Sequence, residues 1–85
     1  MRRRSTTRTA WLLQFTEREG RRVMRRYLHR TGGDWGPHEL PCPEMESAME
    51  FPSAQSARAH AQLHWEGFCE VTPIEVAIMT TYKVL

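Results

Sequence analysis

TAWLLQFTEREGRRVMRRYL, residues 9–28, contains the strongest structural pattern of this chain. Trp11, Leu13 and Phe15 fall on alternate positions, which is the period-two pattern of a strand with one apolar face. Gly20 follows and tolerates the positive φ that a short hairpin loop needs. The apolar residues beyond this glycine predict a return strand, so the stretch is interpreted as a β-hairpin.

The expected strands of this hairpin span 9–15 and 21–28. A helix over 17–29 is the rival interpretation, because the apolar residues of the second half also stand at helical spacing. Gly20 and the β-branched and aromatic content of the stretch favour the hairpin.

A single well-defined helix is predicted downstream, over 53–66. Ser53 is a natural N-cap after a proline, and Gly67 stands where a helix C-terminus often has glycine. One face of this helix is expected to be buried, because mostly small or apolar residues recur along it at helical spacing. They are Ala54, Ala57, Ala61, His64 and Trp65.

Between hairpin and helix, the glycines and prolines of 29–43 predict a loop without regular structure. A short helical turn is expected over 44–50, and a last strand over 69–84, with Pro73 near its start. The order β-β-α-β predicts an α+β fold, in which a three-stranded antiparallel sheet packs on one main helix. Residues 1–8 are expected to form a flexible basic arm, and 9–85 a single domain.

Charge is divided unevenly along the chain. Residues 1–30 hold ten arginines against two glutamates, a net of +8, whereas 31–85 have a net of −6. The overall charge of +2 therefore conceals a strongly polarised sequence. Such polarity is typical of proteins that bind a charged macromolecule.

Two charged groups and one tryptophan are the predicted partner-binding residues. The basic group is Arg21, Arg22, Arg25 and Arg26. The acidic group is Glu39, Glu44, Glu46 and Glu50, and with Glu66, Glu70 and Glu75 it forms a row of carboxylates that would imitate a row of phosphates. Trp35 is the expected anchor, because a Gly/Pro-rich loop presents it. If the partner is a nucleic acid, the basic group and Arg2–Arg4 would contact phosphates, and Trp11, Phe15 and Tyr27 would stack on bases.

Motifs for chemistry are sparse. Cys42, His60, His64 and Cys69 are the residue types of a Cys₂His₂ zinc site, but the sequence has no Cys-x-x-Cys pair. The prediction is therefore that no metal is bound. Either cysteine with a histidine would make a nucleophile–base pair, yet no third group that orients the base is evident. We therefore expect neither catalysis nor a cofactor.

The expected compartment is the cytoplasm, with both cysteines reduced. No apolar run reaches the length of a membrane span, and no signal-peptide pattern opens the chain. An exposed sheet edge or face leaves room for a homodimer.

One loose pattern resembles a known group of proteins. It comprises Trp35, Ala48-x-x-Phe51-x-Ser53-x-x-x-Ala57, Val71 and Ile74-x-Val76. The chain thereby resembles small orphan proteins of bacteriophages and prophages with a strand–strand–helix–strand plan, among them anti-CRISPR and other anti-defence inhibitors. This resemblance implies a non-enzymatic protein that binds a host defence protein or nucleoprotein complex, with a CRISPR–Cas effector as the expected target. The alternative is a small nucleic-acid-binding protein that uses its arginine-rich N-terminal half.

Overall fold

The fold is α+β, with one helix and a four-stranded antiparallel sheet, in a computed structural model that describes residues 2–32 and 38–84. The elements are β1 (Arg2–Glu19), β2 (Arg22–Thr31), β3 (His38–Cys42), α1 (Ala54–His64) and β4 (Glu70–Val84). The strand order is β3-β2-β1-β4. The predicted class is confirmed, and the sheet has one strand more than expected.

The predicted hairpin is formed by β1 and β2. Their register runs from Gln14 opposite Tyr27 to Glu19 opposite Arg22. Gly20 has a φ of 60° at the turn, a conformation that side chains with a Cβ disfavour. The rival helix over 17–29 is therefore excluded.

β1 is much longer than the sequence predicts. Residues 2–16 pair in register with β4, from Arg2 opposite Val84 to Thr16 opposite Glu70. The segment 1–8 was expected to be a flexible arm, whereas its residues 2–8 lie in this two-stranded ribbon. Their partners come from the far end of β4, so the sequence of 1–8 alone carries no sign of the pairing.

β3 lies inside the segment for which no regular structure is expected. His38–Cys42 pairs with β2, so the prediction of an irregular loop over 29–43 is wrong for these residues. Pro41 has no N–H to donate, and β3 tolerates it because it is at the edge of the sheet. The helical turn expected over 44–50 is also wrong, since this segment is irregular and Ser47 has a φ of 66°.

The sheet has two faces, each with its own apolar cluster. The helix face carries the larger cluster, formed by Leu13, Phe15, Leu28 and Ala57. The loop face carries the smaller one, formed by Leu12, Tyr27 and Ala48. The large side chains that are fully buried, Phe15, Leu13 and Leu28, all belong to the helix-face cluster. Burial of each contributes about 1.5–3 kcal/mol, so this cluster is expected to contribute most of the stability of the fold.

The chain passes through the sheet between β1 and β2. Trp11 and Phe51 exchange two backbone hydrogen bonds, of 3.0 and 2.7 Å, and the Met49 N–H donates to the Leu28 carbonyl at 2.8 Å. Ala48, just before this crossing, packs on the loop face, whereas Phe51 packs on the helix face. The crossing satisfies backbone groups that the divergence of β1 and β2 leaves without strand partners.

α1 begins where the sequence predicts. The Ser53 hydroxyl accepts from the Ser56 N–H at 3.0 Å, and the Ser56 hydroxyl accepts from the Ser53 N–H at 3.2 Å. This capping box satisfies two of the donors that a helix start leaves without partners. Within residues 2–32 and 38–84, no helix combines the length and apolar character needed to cross a membrane.

Candidate functional site

The tip of the β1–β2 hairpin carries the predicted basic group. Arg21, Arg22, Arg25 and Arg26 are all exposed. We call these four residues the arginine hairpin. Their register places Arg22 and Arg26 on the helix face and Arg25 on the loop face, because they stand opposite Glu19, Phe15 and Thr16 respectively.

The arginine hairpin differs from the other arginines in its ion pairing. In the part of the chain that the structure describes, none of its four guanidinium groups has a carboxylate within 4.0 Å. Three other arginines each face a glutamate from the acidic half of the sequence. These pairs are Arg8–Glu50, Arg18–Glu70 and Arg30–Glu39.

Folding thus removes much of the polarity seen in the sequence. The three pairs bring positive charge from residues 1–30 against negative charge from 31–85. Exposed pairs of this kind add little stability, but they reduce the field that a partner meets. The basic residues that stand outside these pairs in the described chain include the arginine hairpin and, at the far end of β1, Arg3, Arg4 and Lys83.

Glu39 is not part of a surface row of carboxylates. Its Oε1 accepts from His60 Nε2 at 2.7 Å and from Trp65 Nε1 at 3.2 Å, and its Oε2 lies 3.7 Å from Arg30. Burial by itself raises the pKa of Glu39, but the hydrogen bonds from His60 and Trp65 and the charges of His60 and His64 together outweigh it, and the pKa lies below the ordinary value. Glu39 therefore ties β3 to α1.

Glu50 is also engaged within the molecule. Both of its carboxylate oxygens contact the Arg8 guanidinium, one of them at 2.9 Å, in a two-bond arrangement. The hydrogen bonds from Arg8 lower the pKa of Glu50. Among the described residues, Glu44, Glu46, Glu66 and Glu75 of the predicted acidic row stand outside such pairs and are exposed.

The predicted anchor, Trp35, lies outside the described residues. A different apolar feature is present on the loop face, where a shallow groove of about 340 Å³ separates the 45–50 segment from β4. Met45, Val76 and Ile78 contribute apolar atoms to its lining, and Glu46 lies at the same groove. The sequence gives no signal for this groove, because it depends on where the irregular segment crosses the sheet.

The aromatic residues proposed for base stacking are in the core. Phe15 is 1% exposed and Tyr27 7% exposed, and Trp11 packs against the helix-face cluster. Phe15 and Tyr27 therefore present no free ring face to a nucleotide, whereas Trp11 is half-buried. The expectation that Phe15 and Tyr27 stack on bases is wrong.

The four residues considered for zinc are not brought together. Cys42 lies opposite Tyr27 on the loop face, whereas Cys69 packs against the helix-face cluster. His60 and His64 are neighbours on α1, with ring centroids 4.6 Å apart. Burial raises the pKa of the Cys69 thiol, which makes it a weaker nucleophile and ligand at neutral pH.

A different cluster of ligand-type groups does form on the loop face. One ring nitrogen of His29, Cys42 Sγ and one carboxylate oxygen of Glu44 all lie within 4.8 Å of one another. No local sequence pattern reveals this cluster, because it depends on the pairing of β2 with β3, a strand that the sequence does not predict.

No protein-family model, curated protein or solved structure matches this chain.

Proposed function

We propose that this chain is a non-enzymatic protein that binds and inhibits a bacterial defence complex, with a CRISPR–Cas effector as the first partner to test. The arginine hairpin is the proposed contact surface, and the partner surface is rich in carboxylates or phosphates. The resemblance to phage and prophage orphan proteins supplies the defence context, and the placement of the arginines supplies the contact.

The observation that carries the proposal is the exposure of four arginines within six residues, none paired with a carboxylate in the described chain. Guanidinium groups bind carboxylates and phosphates with two parallel hydrogen bonds, which gives both affinity and orientation. The base of the hairpin packs in the core, because Phe15 and Leu28 are fully buried in the helix-face cluster. A rigid base lowers the entropy cost of binding.

The acidic group supports the proposal less strongly. Glu39 and Glu50 are engaged within the molecule and Glu70 faces Arg18, which leaves Glu44, Glu46, Glu66 and Glu75 of the predicted row. A surface that imitates nucleic acid needs a longer run of available negative charge. The basic surface is therefore preferred as the contact.

An assay of phage infection tests the proposal. Cells that carry an active CRISPR–Cas system directed against a phage are given the wild-type chain or a variant with Arg21, Arg22, Arg25 and Arg26 all changed to glutamine. The matched control changes Arg3, Arg4, Arg58 and Lys83 to glutamine, which removes the same charge from other exposed positions. Circular dichroism checks that both variants fold.

The proposal expects the wild-type chain and the control to restore plating of the phage, and the hairpin variant to lose this effect. Equal activity of the two variants would contradict the assignment of the surface. Failure of the wild-type chain against representatives of all CRISPR–Cas types would contradict the assignment of the partner.

One observation favours the alternative, direct binding of nucleic acid. A second group of basic side chains lies at the opposite end of β1, where Arg4 stands across from Tyr82, which is 57% exposed. The two basic ends are separated by most of the 50 Å length of the molecule. Two such ends would contact phosphates on one long duplex.

A salt titration distinguishes the two functions. Direct phosphate contacts predict affinity for a DNA duplex that falls steeply between about 50 and 200 mM salt, with both four-residue variants weakened alike. Absence of such binding by the purified wild-type chain leaves the inhibitor function as the one supported.

A further inference from the structure

The loop face holds three side chains of the kinds that bind transition metals. His29 comes from β2, Cys42 from the end of β3, and Glu44 from the segment that follows. The register sets Tyr27 opposite Cys42 and His29 opposite Leu40, so His29 and Cys42 are diagonal neighbours on one face. Two paired strands therefore hold two of the three groups in place.

We propose that His29, Cys42 and Glu44 bind one Zn²⁺ ion, with a water molecule as the fourth ligand. An imidazole nitrogen, a thiolate and a carboxylate are each established types of zinc ligand, and three protein ligands with one water is a common arrangement. Thiolate and imidazole together favour zinc over magnesium or calcium, which prefer oxygen ligands. Binding releases the proton of the Cys42 thiol.

The distances fit this site with a small adjustment. Ligand atoms around a tetrahedral zinc ion lie about 3.3–3.8 Å apart, given the usual metal–ligand bond lengths. The three groups lie within 4.8 Å of one another, measured to one ring nitrogen of His29, so a contraction of about 1 Å together with a reorientation of the ring that points Nδ1 at the ion completes the site. Glu44 is exposed and has side-chain freedom to make this movement.

A hydrogen bond orients the histidine. His29 Nε2 lies 2.7 Å from the backbone carbonyl oxygen of Glu44. A carbonyl oxygen only accepts, so Nε2 carries the hydrogen and Nδ1 keeps its lone pair in the neutral ring. Histidines that bind metals commonly donate their other N–H to a carbonyl or carboxylate in this way.

The other titratable residues do not form a second candidate zinc site in the described chain. In the described chain, no further set of three such groups comes this close together. Glu39 uses its oxygens for His60, Trp65 and Arg30. The proposed ion would join β2, β3 and the start of the segment that crosses the sheet, which is a structural role independent of the proposed inhibitor function.

Cobalt titration of the full chain tests the site. Co²⁺ in a tetrahedral site with a thiolate ligand gives a thiolate-to-cobalt charge-transfer band and intense visible bands, and added Zn²⁺ displaces it. The variants are Cys42→Ser, His29→Gln and Glu44→Gln, and the matched control is Cys69→Ser. Competition with a chromophoric chelator measures the affinity for Zn²⁺, and thermal unfolding with and without Zn²⁺ reports its effect on the fold.

The proposal expects one Zn²⁺ per chain for the wild type and for Cys69→Ser, with a raised Tm in both. Cys42→Ser is expected to lose the charge-transfer band, and His29→Gln and Glu44→Gln to bind Zn²⁺ at least about tenfold more weakly. The proposal is overturned if the wild-type chain does not bind one Zn²⁺ ion per chain. It is also overturned by a charge-transfer band that survives Cys42→Ser or disappears in Cys69→Ser.

Discussion

His60 and Glu39 are joined by a hydrogen bond of 2.7 Å between the imidazole Nε2 and the carboxylate Oε1. The two side chains are about four-fifths buried. This bond connects the edge strand β3 to α1, and Trp65 Nε1 donates to the same oxygen. Because the carboxylate is the shared acceptor of both hydrogen bonds, its ionised form favours the contact between β3 and the helix.

Stability is expected to fall in acid through Glu39. The pKa of Glu39 is lower in the folded chain than the ordinary value of 4.5, so its ionised form favours folding. This contribution is fully present above the ordinary value and is lost as the pH falls through the lowered pKa. Urea unfolding should show wild type more stable than Glu39→Gln at pH 7, by about 1–3 kcal/mol, with a smaller difference in acid.

Glu66→Gln is the control, because Glu66 is exposed, and it should leave the free energy of unfolding within about 0.5 kcal/mol of wild type. A difference between wild type and Glu39→Gln that does not change with pH would show that the carboxylate charge is not responsible.

The helix-face cluster should dominate the response to mutation. Phe15 is 1% exposed and stacks edge-on with Trp65 at a centroid distance of 5.2 Å. Phe15→Ala is expected to lower the free energy of unfolding by about 3–5 kcal/mol, enough to unfold much of so small a domain. Leu63→Ala is the control, because Leu63 is 77% exposed, and it should change the stability by no more than about 0.5 kcal/mol. Similar losses in the two variants would mean that α1 packs on another side.

The capping box makes a separate prediction about α1. Ser53→Ala removes the hydroxyl that accepts from the Ser56 N–H and should cost about 1 kcal/mol. Ser53→Asp keeps an acceptor at the N-cap and should remain close to wild type. Chemical denaturation followed by circular dichroism measures both. The prediction fails if alanine and aspartate are tolerated equally.

The turn of the arginine hairpin depends on one glycine. Gly20 has a φ of 60° and open space where a Cβ would be, so Gly20→Ala brings backbone strain without a clash. The expected cost is about 1 kcal/mol. Gly32→Ala is the control, because Gly32 has open space and no positive φ. Thermal unfolding compares them, and equal stability of the two variants would argue against this turn geometry.

Much of the fold follows from local patterns. The alternation at Trp11, Leu13 and Phe15, the N-cap at Ser53 and the alternating residues of β4 are encoded within a few positions, so the hairpin, the helix and the last strand were predicted. β3 was missed because Pro41 and the nearby glycines are typical of loops, and only the edge position makes the proline acceptable. The ribbon of 2–8 with β4 was missed because its pairing depends on residues seventy or more positions away.

Local patterns also predict one part of the candidate site, the exposed arginines, but not the parts that depend on contacts between distant segments. The exposure of Arg21–Arg26 follows from a charged hairpin tip, which sequence shows directly. The engagement of Glu39 by His60 requires β3 to lie beside α1, and the cluster of His29, Cys42 and Glu44 requires the register of β3 with β2. Charges that are distant in sequence neutralise each other in space, as Arg8 and Glu50 do, and no local pattern reveals this.

Calorimetry of binding to a purified CRISPR–Cas effector complex, with the two charge-matched variants, measures what the arginine hairpin contributes to the complex. Changing Arg21, Arg22, Arg25 and Arg26 to glutamine should weaken binding at least about tenfold, or roughly 1.4 kcal/mol. The variant at Arg3, Arg4, Arg58 and Lys83 should bind like wild type. Equal weakening of the two variants, or full binding by the hairpin variant, would contradict this prediction.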